Sequence, residues 1–170
     1  MKSSWEIKAM TAADIDAVSE VYREVLEPSY ISFSELGEGK AETPDRLTGR
    51  AAAIFRDQLV SLWQSHERGF FVCKAGSQVI GFSLASLRQT EAGHIECWLD
   101  DVGVLHRWRR HGVARQLIEY VLRWGRQAGA KYFLIESGWQ NAGAHAFFES
   151  LGFRPLSTVF WHPSTDLEPV

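Results

Sequence analysis

A chain of 170 residues with 45% hydrophobic, 12% aromatic and 23% charged residues has the makeup of one folded domain, expected to span residues 1–170. That length buries about 70% of the unfolded surface, enough for a core without metals or disulfides, and the composition excludes disordered and collagen-like designs. A net charge of −3 speaks against a dedicated nucleic-acid binder, no apolar run approaches the ~20 residues of a membrane helix, and residues 1–6 lack the apolar stretch of a signal peptide, so the expectation is a cytoplasmic protein.

Residues 5–10 read as a short strand, with Trp5, Ile7 and Ala9 alternating with polar neighbours. Thr11 then opens a helix, with Asp14 in the place of the usual Glu of a capping box, and Ile15, Val18, Val21, Tyr22 and Val25 recur at helical spacing until Pro28 stops the run. Residues 29–45 read as a loop with room for a short helix, and residues 48–64 as a helix with Ala52, Phe55, Leu59, Leu62 and Trp63 on its apolar side. The period then shortens to two. Residues 70–75 and 79–85, joined by Gly76-Ser77, form a predicted hairpin, and residues 94–104 a further strand. A helix over 112–128 places Val113, Leu117, Val121 and Trp124 on one stripe and closes at Gly129. A strand over 132–136, a helix over 142–150 ending at Gly152, and a last strand over 159–161 complete the chain. The order β-α-α-α-β-β-β-α-β-α-β makes the fold α/β or α+β. Cys73 and Cys97 lie in strand-like runs, belong to no metal-spacing motif and read as buried, reduced thiols.

Charge is unevenly spread. Between His106 and Arg126 stand six arginines and one acid, Glu119, a net +5 that leaves −8 for the rest of the chain. In Val104-Leu105-His106-Arg107-Trp108-Arg109-Arg110-His111-Gly112-Val113-Ala114 a strand enters a cationic turn and a helix starts at a glycine. A helix start offers unpaired N–H groups and the positive end of the helix dipole, which together bind phosphate, and Gly112 and Ala114 let an anion approach. A capped helix start with solvated arginines would look the same.

These residues resemble a known family. Arg109-Arg110-His111-Gly112-Val113-Ala114 fits the Arg/Gln-x-x-Gly-x-Gly/Ala signature of the GCN5-related N-acetyltransferases (GNAT), and Leu99-Asp100-Asp101-Val102-Gly103-Val104 is similar to the strand preceding it. Asn141-Ala142-Gly143-Ala144-His145-Ala146-Phe147-Phe148 with Gly152-Phe153 is similar to the second family motif, and the resemblance runs from about residue 70 to 161. It implies a mixed, mostly antiparallel central sheet flanked by helices, with acetyl-CoA as co-substrate. It implies that the main chain of Val104, Leu105 and His106 holds the pantetheine and that the N–H groups of Arg110, His111, Gly112, Val113, Ala114 and Arg115 cradle the pyrophosphate. Arg109 stands at the signature's first position, and Asn141 and Phe148 adjoin the cofactor from the other side.

The implied reaction is transfer of acetyl to an amine of a small molecule or polypeptide by direct attack in a ternary complex. An amine must lose a proton first, and a carboxylate can take it. Asp100 is the candidate base, at a position where some members carry an acid, and strand alternation puts it on the face of Trp98 and Val102. Asp101 points the other way unless a bulge intervenes, Glu96 lies farther off, and all three acids could instead pair with arginines. The oxyanion is expected at a strand N–H near Val104. Many members carry a tyrosine where this chain has Phe148, so His145 is a candidate proton donor to the thiolate, with a surface role as its alternative. Trp98 and Trp139 could wall a cationic substrate or simply pack, and the acids Glu35, Glu38, Glu42 and Asp45 could cover an amine pocket or be solvated. No nucleic acid, membrane or metal is expected; a homodimer is compatible with the sequence. The competing function is a non-catalytic acyl-CoA-sensing domain, which Phe148 keeps open.

Overall fold

The structure, a computed structural model, describes residues 4–164; residues 1–3 and 165–170 lie outside it. Its centre is a five-stranded sheet in the order β1-β4-β5-β6-β7, formed by Glu6–Ala9 (β1), Arg68–Ala75 (β4), Gln78–Gln89 (β5), Ile95–Val104 (β6) and Ala130–Ile135 (β7). Every neighbouring pair is antiparallel except β6 and β7, which run parallel. A separate two-stranded antiparallel ribbon is formed by Ala41–Thr43 (β2) and Arg46–Leu47 (β3). Residues 29–45 are therefore more structured than a loop: they also hold a 3-10 turn at Pro28–Tyr30 and a helix at Phe33–Gly37 (α2), capped by Ser32 and Glu35.

Helices cover both faces. On one, Ile15–Val25 (α1) and Ala51–Leu62 (α3) pack together, the Tyr22 and Phe55 rings stacking 3.8 Å apart with Phe82 of β5 against them. The Thr11–Asp14 capping box forms and starts the first turn, while Pro28 follows the last turn of α1 by three residues. On the other face, Val113–Gln127 (α4) buries Val113, Leu117, Ile118 and Val121. Gly125 lets this helix come close to the sheet, because a Cβ there would lie 2.6 Å from the Phe133 ring and 2.9 Å from the Cys97 sulfur. With cover on both sides, β5 is buried continuously from Val79 to Ser86, and full burial of a side chain such as Phe82 contributes about 2–3 kcal/mol. Both cysteines are buried free thiols, and burial pushes Cys73 up to about 12.

After Ala142–Ser150 (α5) the chain departs from expectation. The strand expected at 159–161 is absent: among the described residues no strand lies beside residues 153–163, and Leu156, Val159 and Phe160 are exposed. A strand needs a ladder partner for its amides, and among the described residues this segment has none.

Candidate active site

The cleft arises because β6 outlasts its parallel neighbour. Pairing between β6 and β7 stops at Leu99 and Ile135, so residues 100–104 of β6 have no strand beside them on that side. The first turn of α4 and the helix α5 border this gap, together with the 29–35 segment, around a cavity of about 830 Å³. Gly138 locks the 29–31 segment over the cleft: a Cβ there would fall on the carbonyl oxygens of Ile31 and Ser29. Gln140 donates to Asp45, tying the same loop to the β2–β3 ribbon.

At one end of the cavity the backbone is shaped for an anion. Arg110 (φ 64°) and Gly112 (φ 85°) are both left-handed, an alternation that turns successive N–H groups into a concave nest, and Gly112 begins α4 without any side-chain cap. A Cβ on Gly112 would meet nothing within 4 Å, so the space above it is open. Arg109, Arg110 and Arg115 line this end, and no carboxylate among the described residues pairs with them. Val104, Val113, Ala114, Asn141 and Phe148 also line it, with the Asn141 side chain capping α5 by accepting from the Ala144 N–H at 3.3 Å. The donors and cations suit a diphosphate.

Leu105, His106, His111 and His145 are not on the cavity wall. Leu105 is in the core, and the His106 ring stands 3.6 Å from Glu24 of α1. The His111 ring meets the Arg109 carbonyl, and His145 is half-buried beside Phe148 in the chain without reaching the cavity. Trp98 is held outside it, donating to Glu96 at 3.0 Å with Arg88 stacked on its ring, and Trp139 is exposed.

The other end is acidic, and a bulge decides which acid faces what. Leu84 pairs with Asp101 but Ala85 with Leu99, so Asp100 is an extra residue in β6. The shift brings Asp101 to the face of Phe82 and Tyr22, where simple alternation would have turned it away. Asp100 lines the cavity, yet its oxygens are occupied by Arg68, Arg88 and Ser86, each at 3.0 Å. Burial pushes its carboxyl up, with Arg68, Ser86 and Arg88 pulling against that. Asp101 differs: its Oδ1 is buried without a hydrogen-bond partner, and burial pushes the carboxyl up to about 8, with Lys40 drawing it down and Glu35, Glu38 and Asp100 adding to the rise. Burial penalises the charged form, which is why an acid here holds its proton near neutrality.

Lys40 completes the cluster. It is 3% exposed, paired with Glu38 at 2.7 Å and set against the Tyr22 and Phe55 rings. Burial lowers its affinity for a proton, but Asp101, Glu38 and Glu35 more than offset that. Tyr30 donates to the Val102 carbonyl at 2.7 Å, Glu35 is buried accepting from Ser32, and Glu136 accepts from Phe33 and Ser34. Of the four acids in the 35–45 loop only Glu35 reaches the cavity; Glu42 pairs with Arg46. Tyr30, Lys40 and Glu136 carry no sequence signal beyond their residue type; Asp101 carried one, the conditional bulge.

A family model described as the acetyltransferase (GNAT) family matches residues 31–153. Aminoglycoside N(6')-acetyltransferase type 1 of Salmonella typhimurium is 28% identical over 103 residues, 58% of this chain and 71% of that protein. N-acetyltransferase 8F1 of Rattus norvegicus is 27% identical over 118 residues, 65% of this chain and 53% of its own length. Among solved structures, aminoglycoside N-acetyltransferase AAC(6')-Iy in complex with CoA shares the fold at a TM-score of 0.69 and 21% identity, with 95% of each chain covered. A putative acetyl transferase from Pyrococcus furiosus matches at 0.69 and 17% identity, over 94% of this chain and 99% of that one.

Proposed function

Because the chain belongs to the acetyltransferase (GNAT) family and is an acetyl-CoA-dependent N-acetyltransferase, we propose a division of labour within its cleft. The arginine end receives the diphosphate of the co-substrate: the N–H groups of residues 110–115 and the side chains of Arg109, Arg110 and Arg115 hold it. The free edge of β6 near Val104 aligns the pantetheine arm and leaves a backbone donor for the carbonyl oxygen. Asn141 holds α5 in place against the arm, and Phe148 packs beside it.

The acidic end receives the acceptor. Glu27, Glu35, Asp100, Asp101 and Glu136 line it together with the hydroxyls of Ser29, Ser32 and Ser34. That lining favours a cationic small molecule rich in hydroxyls, an amino sugar with several amines being the best match, in keeping with the aminoglycoside-acetylating relative. The single observation that carries this reading is the division of charge across one cavity, cations at the helix start and carboxylates at the bulge.

Asp101, in preference to Asp100, is the base. The Asp100 carboxylate already serves two guanidinium groups and a hydroxyl, whereas Asp101 has an idle oxygen and a proton affinity close to that of an amine. An incoming ammonium favours the ionised carboxylate, which then takes the amine's proton. We place the reaction in the cytoplasm, in keeping with buried free thiols.

The test is a thiol-release assay across amino sugars, linear polyamines, amino acids and peptide amino termini. Amino sugars should show the highest kcat/KM. A preference for amino acids or acidic peptides would refute the acceptor assignment, because their carboxylates would face the acidic end.

A further inference from the structure

The sheet leaves a second gap, on its β1 side, away from the catalytic cleft. β1 ends at Ala9, opposite Phe71, so Arg68 and Gly69 at the start of β4 have no strand beside them there. A groove of about 560 Å³ occupies this gap, a size that suits a small organic molecule. Its walls are aromatic and come from both helical layers. Trp63, the residue after α3, lies against Phe70 with ring centroids 5.3 Å apart. On the other face of the strand, Phe71 meets Tyr120 and Trp124 of α4 at 4.9 and 5.8 Å. Gly69 lets that side close in, because a Cβ there would lie 2.8 Å from the Phe71 ring and 3.2 Å from the Trp124 indole. Trp63, Phe70, Tyr120 and Trp124 line the groove and are only half-buried. The charge is one-sided. Arg68 and Arg123 line the groove and no acid does. No carboxylate among the described residues pairs with Arg123, whose guanidinium lies over the Tyr120 ring at 5.4 Å.

We propose that this groove binds a flat aromatic carboxylate, its ring among the half-buried aromatic side chains and its carboxylate on Arg123 and Arg68. Offset and edge-on ring contacts favour a planar ring over an aliphatic chain, and a guanidinium fork matches the two oxygens of a carboxylate. An amine or a neutral ring would leave both cations unanswered. The ligand is therefore opposite in charge to the amine acceptor, whose end of the catalytic cleft is acidic. Arg68 joins the two places. Its Nη1 donates to Asp100 Oδ2 at 3.0 Å, and Asp100 lines the catalytic cleft. A carboxylate bound at Arg68 offsets part of that guanidinium's charge and leaves the acceptor end more negative, so a cationic acceptor binds more tightly. This link rests on the acceptor occupying the Asp100 end, as proposed above; the binding of the carboxylate does not.

Calorimetric titration of the coenzyme A-saturated protein with indole-3-acetate tests the site, because bound coenzyme A keeps the probe from the arginine end of the cleft. The expected result is one site with Kd below about 1 mM, weakened at least about tenfold in Arg123→Glu. Indole-3-acetamide, of the same shape without the charge, should bind at least about tenfold more weakly than the acid. Arg123 is exposed and lies outside the catalytic cleft, so the variant keeps its far-UV circular dichroism and its coenzyme A affinity. No binding of the acid, equal affinity in R123E, or equal affinity for the amide would overturn the site. Thiol release reads the link: saturating indole-3-acetate should lower the acceptor KM at least about twofold in wild type and not in R123E. An unchanged or raised KM with the acid bound would overturn the link. The titration contains no acceptor, and acceptors are ranked without the acid, so this site and the acceptor assignment fail separately.

Discussion

Asp101→Asn separates activity from stability in opposite directions. In the wild-type protein burial holds the Asp101 carboxyl near 8, so at pH 7 only about one tenth of it is ionised in the free enzyme. kcat/KM should therefore rise about tenfold per pH unit below 8 and level off above it, and removing the base should cost about 10²–10⁴ in rate. Stability moves the other way. A carboxyl with a raised folded-state pKa contributes its full stability below the ordinary carboxylate value, and that contribution is lost as pH rises through the folded value. Between about pH 4 and 8 the loss is about 1.4 kcal/mol per pH unit, at most about 5 kcal/mol in all. Asparagine stays neutral, so D101N should melt at a higher temperature than wild type above pH 8 and with a flatter pH dependence. The assays are thiol release from pH 6 to 9.5 and thermal melts over the same range, each read as the difference between the two proteins. Activity within threefold of wild type, or a D101N variant less stable than wild type at pH 9, would refute the reasoning.

Gly112→Glu places bulk and negative charge where the helix start is open and forces a non-glycine residue to φ 85°; coenzyme A affinity by calorimetry should fall at least about 30-fold, with a stability loss of only about 1–3 kcal/mol. Lys40→Met removes the cation that draws Asp101 down, so the rising, acid-side limb of the pH–rate profile should move upward in pH, and Lys40→Arg should restore part of its position. Gly138→Ala drives a methyl onto the Ser29 and Ile31 carbonyls; displacement of the 29–31 segment should raise the acceptor KM while leaving coenzyme A affinity unchanged. Phe148→Tyr and His145→Ala should each leave kcat within about threefold, because coenzyme A is a good leaving group and His145 does not reach the cavity; a large loss in H145A with normal folding would reverse that.

The elements with a clean period were legible before any coordinates. α1, α4 and the β4–β5 hairpin sit where apolar spacing puts them, and the arginine turn was visible because six cations in so short a stretch need an explanation. Charge pattern and spacing are local properties. The bulge at Asp100 is not: it depends on how β6 registers against β5, and a one-residue slip reverses the face of each residue beyond it. That is why the choice between Asp100 and Asp101 could be framed from sequence only as a condition. Lys40, Tyr30 and Glu136 reach the site from separate segments and acquire meaning only through tertiary contacts. Residues 159–161 show the converse case, a strand-like composition without a partner strand among the described residues.

The most direct test of the account is a crystal structure with coenzyme A and an amino-sugar acceptor bound together. The account predicts the diphosphate against the N–H groups of residues 110–115, and the acceptor nitrogen within about 3 Å of an Asp101 oxygen, directly or through one water, with the Asp100 ion pairs to Arg68 and Arg88 intact. A diphosphate bound away from the start of α4, or an acceptor amine held by Asp100 with Asp101 still out of contact, would contradict it.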